Sequence, residues 1–313
     1  MKLLVIGFDG LEPEFFRSYV PSGYELHPLY SPQPFTPTAW MSIYTGGLSA
    51  EEHGYSPSWF DFLHVYKRRK RPTCFWNILC EHGFTVELMN LPCTYPPDIV
   101  SGYMVCGFPL PNFSIKNYAY PESVVEKLPS DFVQHMDLIH WAPEKPYEDW
   151  ANYVLGMGEK EFMDRVRRDN EVLIDTFEKL HSDSADLGFI QFSFVDRVAH
   201  LVKPAPGHYS ESALHESLKM VAEIIQLLDK TLTPEAVLIV SDHGLRRLSS
   251  SETSDRISAY THSNRGTLCY RALEPKCQTV RDIFNFVVEL FKGHAPRPGG
   301  RGVKPLRDQE AWK

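Results

Sequence analysis

Hydrophobic positions along this chain follow two rhythms. Short, nearly unbroken apolar runs occur at Lys2–Phe8, Thr85–Leu91, Tyr103–Phe108, Gly188–Val195, Ala236–Ser241 and Thr267–Leu273. Their length and content suit strands covered on both faces. Longer segments instead repeat apolar residues every three or four positions. From Glu159 to His181, the residues Phe162, Val166, Leu173, Phe177 and Leu180 share one helical face. Similar patterns run over Glu211–Leu228 and Val280–Phe291. Strands alternating with such helices predict an α/β fold with a mainly parallel central sheet flanked by helices.

Both rhythms fade between about Leu91 and Gly158, where Tyr95, Pro96, Pro97, Pro109, Pro111, Tyr118, Tyr120, Trp141 and Trp150 crowd together. A long irregular span of this kind predicts a lid or binding insertion, about 91–158, within one catalytic domain over 1–292. The Pro- and Gly-rich end, 293–313, is expected to be a flexible tail. The chain has no internal repeat.

Several of the strand-like runs end in metal-binding residue types. Asp9 follows Leu3–Phe8, Asp196 and His200 follow Phe192–Val195, Asp242 and His243 follow Val237–Ser241, and His262 follows Tyr260–Thr261. In a parallel sheet, ligands gather beyond the carboxyl ends of the strands. Carboxylates and imidazoles meeting there would suit Zn²⁺ or Mn²⁺. Six groups are about twice what one catalytic metal needs, so the pattern predicts a two-metal site. Taken singly the residues say less. Asp9 before Gly10 could open a turn, a lone DxxxH such as Asp196–His200 is common, and His262 reads as an ordinary loop histidine. The adjacent pair Asp242–His243 is sharper, because two ionisable groups ending a buried strand both require partners.

The segment Pro34-Phe35-Thr36-Pro37-Thr38-Ala39-Trp40 adds a hydroxyl. Thr36 before Pro37 suits the start of a helix that would end near Gly46–Gly47, with Thr36 as its N-cap. The same position lies where helix N–H groups favour an anion such as a phosphoryl group, and there Thr36 would be a nucleophile. The two readings are compatible.

Bulk properties narrow the class. The chain has 313 residues, 43% hydrophobic and 23% charged, as in an ordinary soluble enzyme. Its net charge of -8 gives no reason to expect nucleic acid as a general partner. The basic run Lys67–Arg71 reads as a solvated loop. Six cysteines without CxxC spacing indicate a reducing compartment. The N-terminal apolar run is too short for a signal peptide, and no stretch reaches the roughly 18 apolar residues of a membrane span. A cytoplasmic protein with no membrane partner is expected.

The ordered series VIGFDG, FTPTAWMSIYTG with EEHG soon after, PTCFWNILCEHGFTVELMNLPCTYPPD, YMVCGFPLP, FSFVDRVAH, VLIVSDHG and YTHSNRG resembles the type I phosphodiesterase/nucleotide pyrophosphatase branch of the alkaline phosphatase superfamily. The likeness covers most of residues 1–275, and compact prokaryotic members are the nearest in kind. It implies two metal groups, Asp9, Thr36, Asp242 and His243 for one ion and Asp196, His200 and His262 for the other, with Zn²⁺ the usual metal and Mn²⁺ an alternative. It also implies hydrolysis of a phosphodiester or pyrophosphate through a phosphothreonine on Thr36, with a small phosphate ester, such as a nucleotide, as substrate.

The chain departs from the resemblance at two places. Phe35 stands where well-studied members carry a Lys before the nucleophile. Tyr55–Ser58 stands where they carry a phosphate-binding Asn. Substrate contacts are therefore assigned instead to Phe35, Trp40, Arg197 and the 91–158 span. Phosphomonoester or phosphonate hydrolysis on the same site is the nearest alternative, and a non-catalytic metal-binding interaction module is a different one. No C/S-x-P-x-R motif supports a sulfatase.

Overall fold

The computed structural model describes residues 1–47, 72–108, 110, 116–136, 147–249, 251–252 and 258–296. The basic run 67–71, residues 55–58 and the end of the tail lie outside them. Ten strands are present among the described residues: β1 Leu3–Phe8, β2 Glu25–Tyr30, β3 Val86–Leu91, β4 Gly102–Cys106, β5 Ala119–Tyr120, β6 Leu187–Phe192, β7 Ala236–Val240, β8 Gly244–Arg247, β9 Tyr260–Ser263 and β10 Arg265–Arg271. Eight form one sheet in the order β2-β10-β7-β1-β6-β3-β4-β5, while β8 and β9 make a separate antiparallel hairpin.

The centre of the sheet is parallel. β1 pairs with β7 on one side and β6 on the other, and β3 continues the parallel run to β4. Only β10, β2 and β5 run antiparallel to their neighbours. This is an α/β fold with a mixed, mostly parallel sheet. Every residue of β1, β3, β6 and β7 is buried, which explains why those strands read as mostly apolar, interrupted only by the buried Glu87, Asn90 and Gln191.

Alternation along β1 divides the core in two. Leu4, Ile6 and Phe8 face one cluster, with Val166 and Phe177 of the helix Glu159–Leu180 and Val221 and Leu228 of the helix Glu211–Leu232. Leu3 and Val5 face the other, with Trp40 and Tyr44 of the helix Thr36–Thr45, Phe75 of the helix Phe75–Glu81 and Val287 of the helix Asp282–Lys292. Helices therefore cover both faces, and the carboxyl ends of β7, β1 and β6 lie side by side.

Three details differ from the sequence reading. The run Gly188–Val195 is not one strand: β6 stops at Phe192 and the helix Phe194–Ala199 begins at once. That helix is buried on every side, so its apolar content matches the strand before it. β2 is an edge strand with four of six residues exposed, which erased its apolar signal. Within the span 91–158 the run Tyr103–Phe108 does form a strand, β4, but the span also adds the unpredicted β5 to the central sheet, and its described part holds the helices Val133–Met136 and Tyr147–Met157. All six cysteines are buried and none forms a disulfide. Among the described residues no helix is long and apolar enough to cross a membrane.

Candidate active site

The three central strands each deliver an aspartate at the same edge. Asp9 follows β1 directly, and Asp242 and His243 lie two and three residues beyond β7. Asp196 sits in the first turns of the helix after β6, with His200 at that helix's end. His262 comes from β9, opposite Leu245 of β8. Convergence at this edge follows from the parallel pairing of β7, β1 and β6 in register.

Two groups of side chains result. In the first, His243 Nε2 is 3.2 Å from Asp9 Oδ1 and 3.4 Å from Asp242 Oδ2. Thr36 Oγ1 lies 3.3 Å from Asp9 Oδ1 and 3.2 Å from His243 Nε2. In the second, Asp196 Oδ1 is 3.2 Å from His200 Nε2 and 3.3 Å from His262 Nε2, and the two imidazole nitrogens are 3.0 Å apart. The groups touch, since the His243 and His262 rings stack at 3.9 Å. Potential ligand atoms of Asp9, Asp242 and His243 lie within 4.8 Å of one another, as do those of Asp196, His243 and His262. The first group is sealed, with Asp9 1% and Asp242 0% exposed. The second opens outward, with the His200 and His262 side chains 20% and 23% exposed.

The donor set fits divalent cations. His243 Nδ1 lies 3.1 Å from the Gly244 carbonyl and His262 Nδ1 2.8 Å from the Pro34 carbonyl. A carbonyl only accepts, so each Nδ1 carries a proton, and Nε2 is the nitrogen turned toward the carboxylates, the one free to bind a metal once it is deprotonated. Asp242 Oδ2 is buried without a hydrogen-bond partner, and Asp196 Oδ1 is buried with only the His200 and His262 nitrogens beside it. Three carboxylates buried this close together, one of them with an unpartnered oxygen, would be costly unless a cation completes them.

The electrostatics of the metal-free protein carry the same imprint. Burial, then the charges on Asp9 and Asp196, push the Asp242 carboxyl well above the usual carboxylate range. For Asp196 burial also opposes ionisation, but the charge and hydrogen bonding of His200, followed by His262, win and hold it well below that range. At His243 burial disfavours the cation, yet hydrogen bonding to and the charge of Asp9 raise its pKa.

Thr36 is not the helix cap that the sequence suggested. The capping position is Phe35, with extended backbone and no side-chain cap, and Thr36 is the first residue of the helix Thr36–Thr45. Its hydroxyl is thereby directed at Asp9 and His243 instead of its own backbone. The helix does end at Gly46 in the left-handed region, as expected of a glycine stop.

The proposed substrate contacts divide. Trp40 is fully buried and does not face a substrate: a Cβ on Gly7 would come within 2.6 Å of its ring, and it stacks with Tyr44. Arg197 is also buried, with Nη1 3.4 Å from Asp196 Oδ2 and its guanidinium over Phe108. It braces Asp196 from the side opposite the histidines. Phe35 remains partly exposed beside Thr36. Sequence reasoning missed Ser241, whose Oγ accepts from the Leu11 N–H at 2.9 Å and donates to the His243 carbonyl at 2.6 Å. It couples the loops after β1 and β7, and a serine before Asp-His-Gly carries no signal for this.

The sequence profile of the type I phosphodiesterase/nucleotide pyrophosphatase family matches residues 3–281. The chain belongs to that family. Its members are metal-dependent phosphodiesterases and nucleotide pyrophosphatases within the alkaline phosphatase superfamily. Comparison with curated protein sequences yields no match. Among solved structures, murine ectonucleotide pyrophosphatase/phosphodiesterase 5 is similar at TM-score 0.50 and 12% identity, covering 97% of this chain and 98% of that one. An inactive threonine-to-alanine variant of the same murine protein, in complex with AMP, matches at TM-score 0.50 and 13% identity, covering 98% and 99%. The alkaline phosphatase of the Antarctic bacterium TAB5 gives TM-score 0.46 at 11% identity, covering 94% and 98%. At these identities the two murine matches show the fold alone, and in that fold the site stands at the sheet edge described above.

Proposed function

We propose that the protein hydrolyses a phosphodiester or pyrophosphate bond, with Thr36 as nucleophile and two divalent cations held by the two groups of side chains. One observation carries the reading: Thr36 Oγ1 stands 3.3 Å and 3.2 Å from Asp9 and His243, in the same buried group as Asp242, whose Oδ2 has no hydrogen-bond partner. Asp9, Thr36, Asp242 and His243 would hold one cation, and Asp196, His200 and His262 the other. When bound, such ions supply Lewis-acid charge for the attacking and leaving oxygens and lower the pKa of the threonine hydroxyl and of water. Zn²⁺ fits the mixed imidazole and carboxylate donors, and Mn²⁺ is the alternative.

The chain's own residues organise a two-step displacement. Thr36 Oγ attacks phosphorus in line with the scissile oxygen. A P–Oγ bond forms as the P–O bond to the leaving group breaks, and that oxygen departs with the electron pair. Water then attacks the phosphothreonine, restoring the hydroxyl and releasing the phosphate product. Two in-line displacements give net retention at phosphorus. Thr36 is well placed for both, because the first turn of a helix directs N–H groups without intrahelical acceptors toward an anion.

A nucleotide-derived ester is a reasonable substrate class, since the murine relative was captured with AMP. Phe35 and the 91–158 span would supply discrimination around the leaving group. Six cysteines with no disulfide among them support a reducing, cytoplasmic setting.

The test compares bis-p-nitrophenyl phosphate with p-nitrophenyl phosphate, with and without added Zn²⁺ or Mn²⁺. The proposal expects metal-dependent turnover with the diester preferred. Preference for the monoester would reassign the protein as a phosphomonoesterase, and neither bound metal nor turnover would leave a binding role.

A further inference from the structure

The hydrogen bonds behind the two groups converge on a carboxylate that belongs to neither. Glu12 lies three residues past Asp9 and is 5% exposed. Its Oε2 accepts from the Ser263 hydroxyl at 2.7 Å, and its carboxylate also takes the backbone N–H of Leu245. These contacts grip the β8–β9 hairpin at one place, because Gly244 pairs with Ser263 and Leu245 with His262. His243 immediately precedes Gly244, and His262 immediately precedes Ser263. One carboxylate thus holds the two main-chain segments that carry those histidines.

The approach is too close for any side chain between them. A Cβ on Gly244 would stand 2.0 Å from the Arg265 carbonyl oxygen, 2.3 Å from Glu12 Oε2 and 2.8 Å from Ser263 Oγ. Glu12 is itself fixed at both ends. Its carbonyl accepts the Phe16 N–H at 3.1 Å, and the preceding Leu11 is held through its N–H by Ser241 Oγ and through its carbonyl by Thr267 Oγ1 at 2.8 Å. The neighbouring cation Arg265 is bonded to Glu14 at 3.0 Å. Packing alone would be served as well by an apolar residue, and burying a carboxylate costs free energy unless its hydrogen bonds matter.

We infer that Glu12 is a positioning residue: by clamping the β8–β9 hairpin to the loop after β1, it sets where His243 and His262 stand relative to Asp9 and Asp196. The inference rests on the two-metal reading above. It predicts that Glu12 and Ser263 govern metal affinity and coordination without touching an ion.

The test uses the full chain, stripped of metal and titrated with Co²⁺, whose visible absorption reports coordination geometry. Glu12→Gln leaves one acceptor oxygen for two donors. Ser263→Ala removes only the hydroxyl, so it serves if the first variant folds poorly. Loss of a partner in this outer layer typically weakens metal binding roughly 10–100-fold. We expect wild type to take up two equivalents, each variant to weaken binding by such a factor with an altered spectrum, and the double variant to be no worse than the weaker single one. Wild-type affinity and spectra in both variants would overturn the role of Glu12. Fewer than two equivalents bound by wild type would instead overturn the two-metal reading on which it depends.

Discussion

Replacing Asp242 by Asn separates what this carboxylate does for a cation from what it costs the metal-free fold. Ligand atoms of Asp9, Asp242 and His243 fall within 4.8 Å of one another. Two full negative charges at that separation, in an effective dielectric of about 20, repel by about 3 kcal/mol. Burial and the charges on Asp9 and Asp196 raise the Asp242 pKa well above normal. The sign follows from proton linkage. A carboxyl that holds its proton more tightly when folded contributes stability that is complete below its unfolded pKa of about 4, and this is lost as pH rises through the folded value. Asparagine does not titrate. It keeps an acceptor for the Gly10 N–H, which lies 3.4 Å from Asp242 Oδ1, and offers an N–H toward His243 Nε2. At pH 8 the metal-free variant should therefore be more stable than wild type by up to about 3 kcal/mol. For a chain of 313 residues this is a rise of about 5 °C in Tm. The difference should shrink as pH is lowered toward 5. With Zn²⁺ present the order should invert, wild type rising and the variant barely responding. Thermal unfolding in EDTA and in Zn²⁺, at both pH values, reads all four cases. A metal-free variant melting below wild type at pH 8, or an equal Zn²⁺ response in the two proteins, would refute the reasoning.

Other expectations follow from single contacts. Thr36→Ala should lose diester turnover by at least about 10³-fold while still binding metal, whereas Thr36→Ser should retain part of it; steady-state rates beside metal analysis check this. Gly7→Ala places a Cβ 2.6 Å from the Trp40 ring and 3.1 Å from Gln191 Cγ, so it should destabilise by about 1–3 kcal/mol in denaturant titration. His200→Ala should release the cation of the more exposed group while the sealed group keeps its own, giving one equivalent of Zn²⁺ by elemental analysis.

Much of this architecture was legible in the sequence, for a physical reason. β1, β6 and β7 are buried on both faces, so apart from Gln191 their residues are apolar, and the polar residues that follow them mark the carboxyl edge of the sheet. The Asp and His residues singled out in the sequence do converge there. What stayed hidden depends on contacts between distant segments. β8 and β9 are four residues each, too short to show a period. The edge strand β2 alternates imperfectly and contains Pro28. An aromatic next to a reactive threonine could face a substrate or the core, and only the glycine of β1 beneath Trp40 decides for the core. Glu12 and Ser241 carry no local pattern, because Ser263, which bonds Glu12, and Leu11, which bonds Ser241, each lie more than 200 residues away.

The most direct test is a diffraction experiment on Zn²⁺-loaded crystals at the zinc absorption edge. The account predicts two anomalous peaks, one among Asp9, Thr36, Asp242 and His243 and the other among Asp196, His200 and His262. A single peak, or zinc bound elsewhere on the molecule, would contradict it.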